Sequence, residues 1–331
     1  MKFVKNFFMF ILIIILILYL FLFFSSRKSY PVDYGYSFSK EHAEYLGLDW
    51  KKTYLQMLQD LKPKYLRLSA AWSNLEKTPD KFNFSDLDFM MSEANKIGTK
   101  VTLVVGQKAP RWPECHVPAW VNDFSKNDYE KSLKNYLEKT VNHYKDHPAL
   151  EYWQVENEAF INFKFGDCEK FRQDLVYDEI KLVNYLDPVH WTIVTDSGEM
   201  GLWSKAGKAG DLFGTTLYRI VRTSNGFILS YDWLPAAFYR YKAKIMGIHL
   251  ESMFVSELQA EPWFTGDGPD KTPIEEQLKT MNIKRLEKHF NFVEKIGVSR
   301  AYLWGVEWWY WMAEKHGDES YVDYAKEFMK K

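Results

Sequence analysis

The sequence predicts an α/β protein: a single (β/α)8 TIM barrel preceded by an N-terminal transmembrane helix. Three observations carry that expectation. Residues Phe7 to Phe24 form an unbroken apolar run of 18. From Asp33 onward, short apolar runs of strand length alternate with longer stretches of helical period. The alternation repeats eight times over about 290 residues, which is the size and order of such a barrel. No G-x-G-x-x-G follows the first strand, which argues against a dinucleotide-binding doubly wound sheet. No composition shift, Gly/Ser linker or internal repeat divides the chain after the apolar run.

The apolar run comes first. As a helix it is about 27 Å long, just enough to cross a bilayer core. Lys2 and Lys5 precede it, and Ser25-Ser26-Arg27-Lys28 follow with Phe23 and Phe24 in the way of a small-x-small cleavage site. The reading is an uncleaved anchor over residues 1–30, with a cleaved signal as the alternative. Charges on the two flanks are nearly balanced and slightly favour an inside N-terminus. Residues 31–331 then form the barrel domain on the extracytoplasmic side of the cell membrane, or in the medium if the segment is cleaved.

The strand candidates follow in order: Tyr34–Ser37, Lys64–Leu68, Lys100–Val105, Glu151–Val155, Trp191–Thr195, Leu212–Thr216, Ser252–Val255 and Ala301–Trp304. Between them lie helices with readable ends. Asp49 opens one that closes before Pro63. Ser85 or Asp86 opens the second, stopped by Gly98. Asn127 or Asp128 opens the third, and Glu169 to Leu186 makes the fourth, stopped by Asp187-Pro188. Trp203 to Ala209 and Trp233 to Ile245 are the weaker fifth and sixth. A seventh helix starts at Thr272-Pro273-Ile274-Glu275, a capping-box pattern, and runs to Gly297.

Composition narrows the function. With 43 Lys plus Arg against 44 Asp plus Glu, the net charge is −1, which argues against a nucleic-acid partner. Two cysteines and eight histidines without a cluster exclude a zinc finger or ribbon. Aromatic residues reach 18%, with 13 Trp. Either they build a large core, or some offer flat apolar faces to sugar rings. Outside the cytosol, Cys115 and Cys168, just after the third and fourth strands, are expected to be bonded and to brace adjacent loops, with two buried thiols as the alternative. There is no G-x-S-x-G elbow, no metal-binding His pair and no phosphate loop.

Chemistry in a (β/α)8 barrel sits at the C-terminal ends of its strands. The fourth strand ends in Gln154-Val155-Glu156-Asn157-Glu158-Ala159. The seventh ends in Val255-Ser256-Glu257-Leu258-Gln259, and the eighth in Trp304-Gly305-Val306-Glu307-Trp308. Carboxylates at the tip of a buried strand are costly to desolvate, so two of them amid Trp call for a chemical reason. Strands four and seven are expected to face each other, converging Glu158 and Glu257 on one cleft.

On these residues the chain, from about Tyr34 to Trp311, resembles the clan A glycoside hydrolases, the barrel superfamily that includes family 5 cellulases and mannanases. The resemblance rests on Asn157-Glu158 after strand four and Glu257 after strand seven. Arg67 on strand two, Tyr218 after strand six and Trp304 on strand eight match further positions of the clan. Ala159 replaces the Pro that commonly follows the Asn-Glu, and Glu156 stands where many relatives carry an apolar residue.

The resemblance implies a retaining glycosidase acting on β-linked oligo- or polysaccharides, with Glu158 as acid and base and Glu257 as nucleophile. It further implies that Asn157 binds the sugar 2-hydroxyl, that Arg67 and Tyr218 hold Glu257, and that Trp304 lies under the sugar. Glu307, Trp308 and Trp263 are candidate substrate contacts, or else scaffold. Trp112, Gln259 and Glu261 are further subsite candidates on the same footing. The mechanism calls for no metal and no cofactor. A non-catalytic glycan-binding barrel and a transglycosylase using the same intermediate are the alternatives.

Overall fold

The computed structural model describes residues 2–161, 166–223, 225–264 and 268–329. Eight parallel strands close into a barrel: β1 (Asp33–Ser37), β2 (Tyr65–Ser69), β3 (Lys100–Val105), β4 (Leu150–Val155), β5 (Thr192–Asp196), β6 (Leu212–Leu217), β7 (Met253–Gln259) and β8 (Arg300–Trp304). Each strand pairs with its sequence neighbour, and Asp33 opposite Arg300 closes β8 onto β1. Seven of the eight strands fall within two residues of the positions expected; β7 runs on to Gln259 and so carries Glu257 inside the sheet.

That extension has an irregular register. Val255 pairs with Thr215, and the next pair along is Glu257 with Thr216. On the other side, Val255 pairs with Ala301, and the next pair is Leu258 with Leu303. Strand β7 thus holds one residue more than either neighbour around Ser256 and Glu257. A bulge of this kind re-aims a side chain, and such bulges concentrate next to active sites.

Helices Trp50–Leu61, Ser85–Lys96, Lys126–Tyr144, Val176–Leu186, Ala237–Met246 and Ile283–Val293 cover the outside. Asp49 accepts from the Lys52 amide and caps the first of them; Ser125 caps the third, slightly earlier than Asn127. Three expectations need correction. The fourth helix begins at Val176, because Arg172 N is taken by Gln107 Oε1 and the preceding turn is 3-10. The fifth is only a 3-10 turn, Ala206–Lys208. The expected helix from Thr272 is two: a short piece, Ile274–Gln277, and a second, Ile283–Val293. Asn282 is extended, and its side chain caps the second piece while its amide donates to Leu278 O. Thr272 donates to Gly268 O and does not form the capping box.

Much of the tryptophan content belongs to the core. Trp72, Trp153, Trp203, Trp308 and Trp309 are fully buried, and each indole N–H has a partner. This satisfies the requirement that makes buried Trp uncommon.

The N-terminal helix Lys2–Ser25 is long and apolar enough to cross a membrane, with a mean hydropathy of 3.3 over its most apolar stretch and none of that stretch buried. Its end touches the barrel at the Ala237–Met246 helix. Phe21 meets Tyr241 with ring centres 5.2 Å apart, Arg240 donates to Ser25 O, and Ala237 N donates to Ser26 Oγ at 2.8 Å.

Candidate active site

The end of β4 is held in an uncommon backbone shape. Glu156 and Glu158 both have positive φ, 66° and 47°, which costs a non-glycine residue about 1–3 kcal/mol. What compensates at Glu156 is visible. Its carboxylate, fully buried, accepts from the Gln107 and Lys108 amides at 2.7 and 2.6 Å and ties the start of the β3 loop to the end of β4. The Glu158 amide donates to Thr195 Oγ1, and its carboxylate accepts from Thr216 Oγ1 at 3.0 Å.

Strands β4 and β7 are not diametrically opposed: β5 and β6 stand between them on the shorter way round. The two strand ends are linked instead through Arg67 on β2. Its Nη1 donates to Glu257 Oε1 at 2.9 Å, Nη2 to Asn157 Oδ1 at 2.8 Å, and Nε to Gln154 Oε1 at 2.8 Å. A planar guanidinium fixes three partners at once, which a lysine would not do. The other oxygen of Glu257 accepts from Tyr218 OH at 2.7 Å. Trp263 stands edge-on to Tyr218, 5.3 Å between ring centres.

The electrostatics separate the carboxyl groups. Burial, helped by the nearby charge of Glu257, pushes Glu158 up to about 8. Such a group keeps its proton at neutral pH and can donate it. A third carboxyl, Glu114, is pushed up to about 8 by burial and then by Glu257. It accepts a long hydrogen bond, 3.4 Å, from Asn157 Nδ2. Burial and the Glu257 charge also hold the Tyr218 phenol well above its ordinary range, so it stays a donor.

Glu114 comes from the loop after β3, next to Cys115. The loop is cross-linked: Cys115 and Cys168 form a disulfide with Cα atoms 5.1 Å apart. The same loop sends Arg111 across the barrel mouth. Its guanidinium lies 4.1 Å from the centre of the Trp304 ring, donates to Glu307 Oε2 at 2.7 Å and pairs with Glu261. Burial alone would raise the Glu261 carboxyl, but Arg111 and His42 hold it down at about 2. Glu307 also accepts from Ser39 N. Gly305 is needed at this corner: its φ is 109°, and a Cβ there would fall 2.3 Å from Glu261 Cβ. Arg111 and Glu114 were not singled out in the sequence, where a loop without period gives no signal beyond charge next to a cysteine.

The remaining candidates divide. Arg67, Asn157, Glu158, Tyr218 and Glu257 are brought together, with Trp263 beside Tyr218. Trp304 and Glu307 line a neighbouring recess with Arg67, Arg111, Ser37 and Ser39. Trp308 is not at the site. Residues Val306–His316 form a helix, not a strand extension, and turn Trp308 into the core, where it packs on Tyr321 and donates to Gln277. Gln259 is scaffold, its amide bonded to both backbone groups of Ile220. Trp112 is exposed on the loop.

Residues 68–187 match the family model described as glycosyl hydrolase family 10. Among solved structures, xylanase 10B from Thermotoga petrophila RKU-1 is similar at 14% identity, with 83% of this chain and 82% of that one covered and a TM-score of 0.54. A GH5_18 protein from Bifidobacterium longum subsp. infantis gives 14% identity, 90% and 79% coverage and a TM-score of 0.60. A GH5_18 protein from Streptomyces cattleya, solved with GlcNAc, gives 13%, 84% and 71%, and 0.56. Together these matches support a clan A glycoside hydrolase and assign no family within the clan.

Proposed function

We propose that the chain, a glycosidase of clan A, cleaves β-linked oligo- or polysaccharides with retention, by double displacement between Glu257 and Glu158. The observation that carries this reading is the unequal treatment of the two carboxyl groups. Glu257 has both oxygens occupied by donors, Arg67 and Tyr218, which suits an ionised nucleophile. Glu158 is pushed up by burial and by that neighbour, which suits a proton donor.

In the first step Glu257 attacks the anomeric carbon while Glu158 protonates the departing oxygen. In the second, Glu158 as carboxylate takes a proton from water, which displaces Glu257. Asn157, with its carbonyl engaged by Arg67 and one amide hydrogen in a long bond to Glu114, has its second amide hydrogen to donate to the sugar 2-hydroxyl. Trp304 bounds the sugar from β8, and Trp263, Tyr218 and Glu307 complete the wall. The segment of residues 1–30, through its apolar helix Lys2–Ser25, anchors the catalytic domain of residues 31–331 at the outer face of the membrane.

The test is sugar release from a panel of β-linked oligo- and polysaccharides by the wild type and by Glu257→Gln. Release that drops by about 10³-fold or more in the variant is the expected outcome. Release at an undiminished rate would show that Glu257 is not the nucleophile. Proton NMR of the first-formed anomer then reads retention directly.

A further inference from the structure

The inference concerns where the cleft ends, and it rests on the reading of Glu158 and Glu257 as the reacting pair. The recess beside Glu257 is lined by Ser37, Ser39, Arg67, Trp304, Arg111 and Glu307. Its lining comes from the ends of β1, β2 and β8 and from the β3 loop, whereas Glu158 is held the other way, by Thr195 on β5 and Thr216 on β6, so this recess lies on the side of the sugar that becomes attached to Glu257. Arg111 closes it. The guanidinium covers Trp304 and is bracketed by Glu261 and Glu307, all three side chains being nine-tenths buried or more. The recess against Arg111 is about 10 Å³, room for one water molecule.

Arg111 is built as a wall and not as a gate. Withdrawing it would leave two buried carboxylates without their shared cation, the costly way to break a buried pair. Its backbone is fixed as well. The Arg111 carbonyl accepts from Glu114 N at 2.8 Å and contacts His116 Nε2 at 3.1 Å. Lys108 and Cys115 form an antiparallel bridge at the base of this turn, and the disulfide to Cys168 ties it to the segment after β4. On the loop after β5, next to the strand whose Thr195 accepts from the Glu158 amide, Met200 and Leu202 are exposed.

We infer that Arg111 ends the cleft one sugar beyond the bond that is cut, so that the enzyme removes single sugars from non-reducing chain ends. The cleft would then be closed on the side of the attacked sugar and open on the side of the leaving group.

The experiment uses the full chain in detergent and reducing-end-labelled β-linked tetrasaccharides, each free or chemically blocked on its non-reducing terminal sugar. Products are followed in time by chromatography for wild type, Arg111→Ala, Arg111→Met and Glu257→Gln. The expected wild-type course is stepwise, labelled trisaccharide first, with the blocked substrate left intact. Arg111→Ala should cut the blocked substrate at least tenfold faster than wild type does. Arg111→Met, which keeps much of the bulk without the ion pairs, should fall between. Early labelled disaccharide from the wild type, or its cutting of the blocked substrate, overturns the inference while leaving the glycosidase reading intact. So does an Arg111→Ala enzyme that is faster yet still strictly chain-end acting, since Arg111 would then obstruct the site and not bound it. If no hydrolysis depends on Glu257, the reading beneath the inference fails and takes the inference with it.

Discussion

At the scale of single residues, the pH dependence follows from Glu158. Its carboxyl is raised to about 8, so it holds the proton needed for leaving-group departure through neutrality and loses it above. The expected kcat/KM profile therefore falls as pH rises through about 8. Thr216 donates to the ionised form and lowers this value, so Thr216→Val should move the alkaline limb upward. A limb that stays in place, or moves down, would detach Glu158 from the acid role. Tyr218 offers a second test. Tyr218→Phe removes one charged hydrogen bond to Glu257, worth about 1.5–3 kcal/mol, and should lower kcat by roughly 10- to 100-fold at temperatures well below a melting point that falls by a few degrees. The residues under test were legible because carboxylates at the ends of apolar runs have few structural excuses. Glu114 and Arg111 were not, since their positions depend on a loop fold that no local pattern encodes. Trp308 was misplaced for the opposite reason: an aromatic run after a strand looks the same whether it lines a cleft or, as here, coils into a helix and fills the core.

At the scale of elements, the β3 loop is the piece on which the cleft depends. It carries Lys108, Arg111, Glu114 and Cys115, and no regular secondary structure holds it. Besides the Arg111 ion pairs and the Lys108–Cys115 bridge, its restraints are the two amides that donate to Glu156 and the disulfide, which spans 53 residues. The chain-entropy model gives a cross-link of that span roughly 4 kcal/mol. The double variant Cys115→Ser, Cys168→Ser should therefore melt several degrees lower. It should also lose activity at temperatures where it is still folded, because the loop positions site residues. Calorimetry and sugar release on the same sample check this, and a lower melting point with full activity would make the bond a stability device only. The strands were readable throughout, since each is a short apolar run between turn residues. Two features escaped. The β7 bulge is a matter of register between strands, and one strand's sequence does not state it. The break at Asn282 was hidden by apolar positions that keep helical spacing across it.

At the scale of the whole molecule, the N-terminal apolar helix and the barrel meet through a hydrogen bond that a domain boundary drawn at residue 30 would remove. Ala236, at the start of the Ala237–Met246 helix, gives no side-chain cap; Ser26 supplies the oxygen instead, accepting from Ala237 N at 2.8 Å while its own hydroxyl donates to Leu22 O. Capping oxygens of this kind contribute about 1 kcal/mol. Arg240 adds bonds to Ser25 O, Lys295 O and Ile296 O, so the same few residues join the N-terminal helix, this helix and the end of the next. The full chain should sediment with membranes and resist alkaline carbonate, as an apolar helix of this length requires. A chain beginning at residue 31 should be soluble and active, because none of the catalytic candidates touches the first 30 residues. It should nevertheless melt lower than the detergent-solubilised full chain, and Ser26→Ala in the full chain should reproduce about 1 kcal/mol of that loss. Equal stability of all three forms would mean that the anchor is tethered to the barrel without supporting it. Extraction of the full chain by carbonate would remove the anchor reading itself.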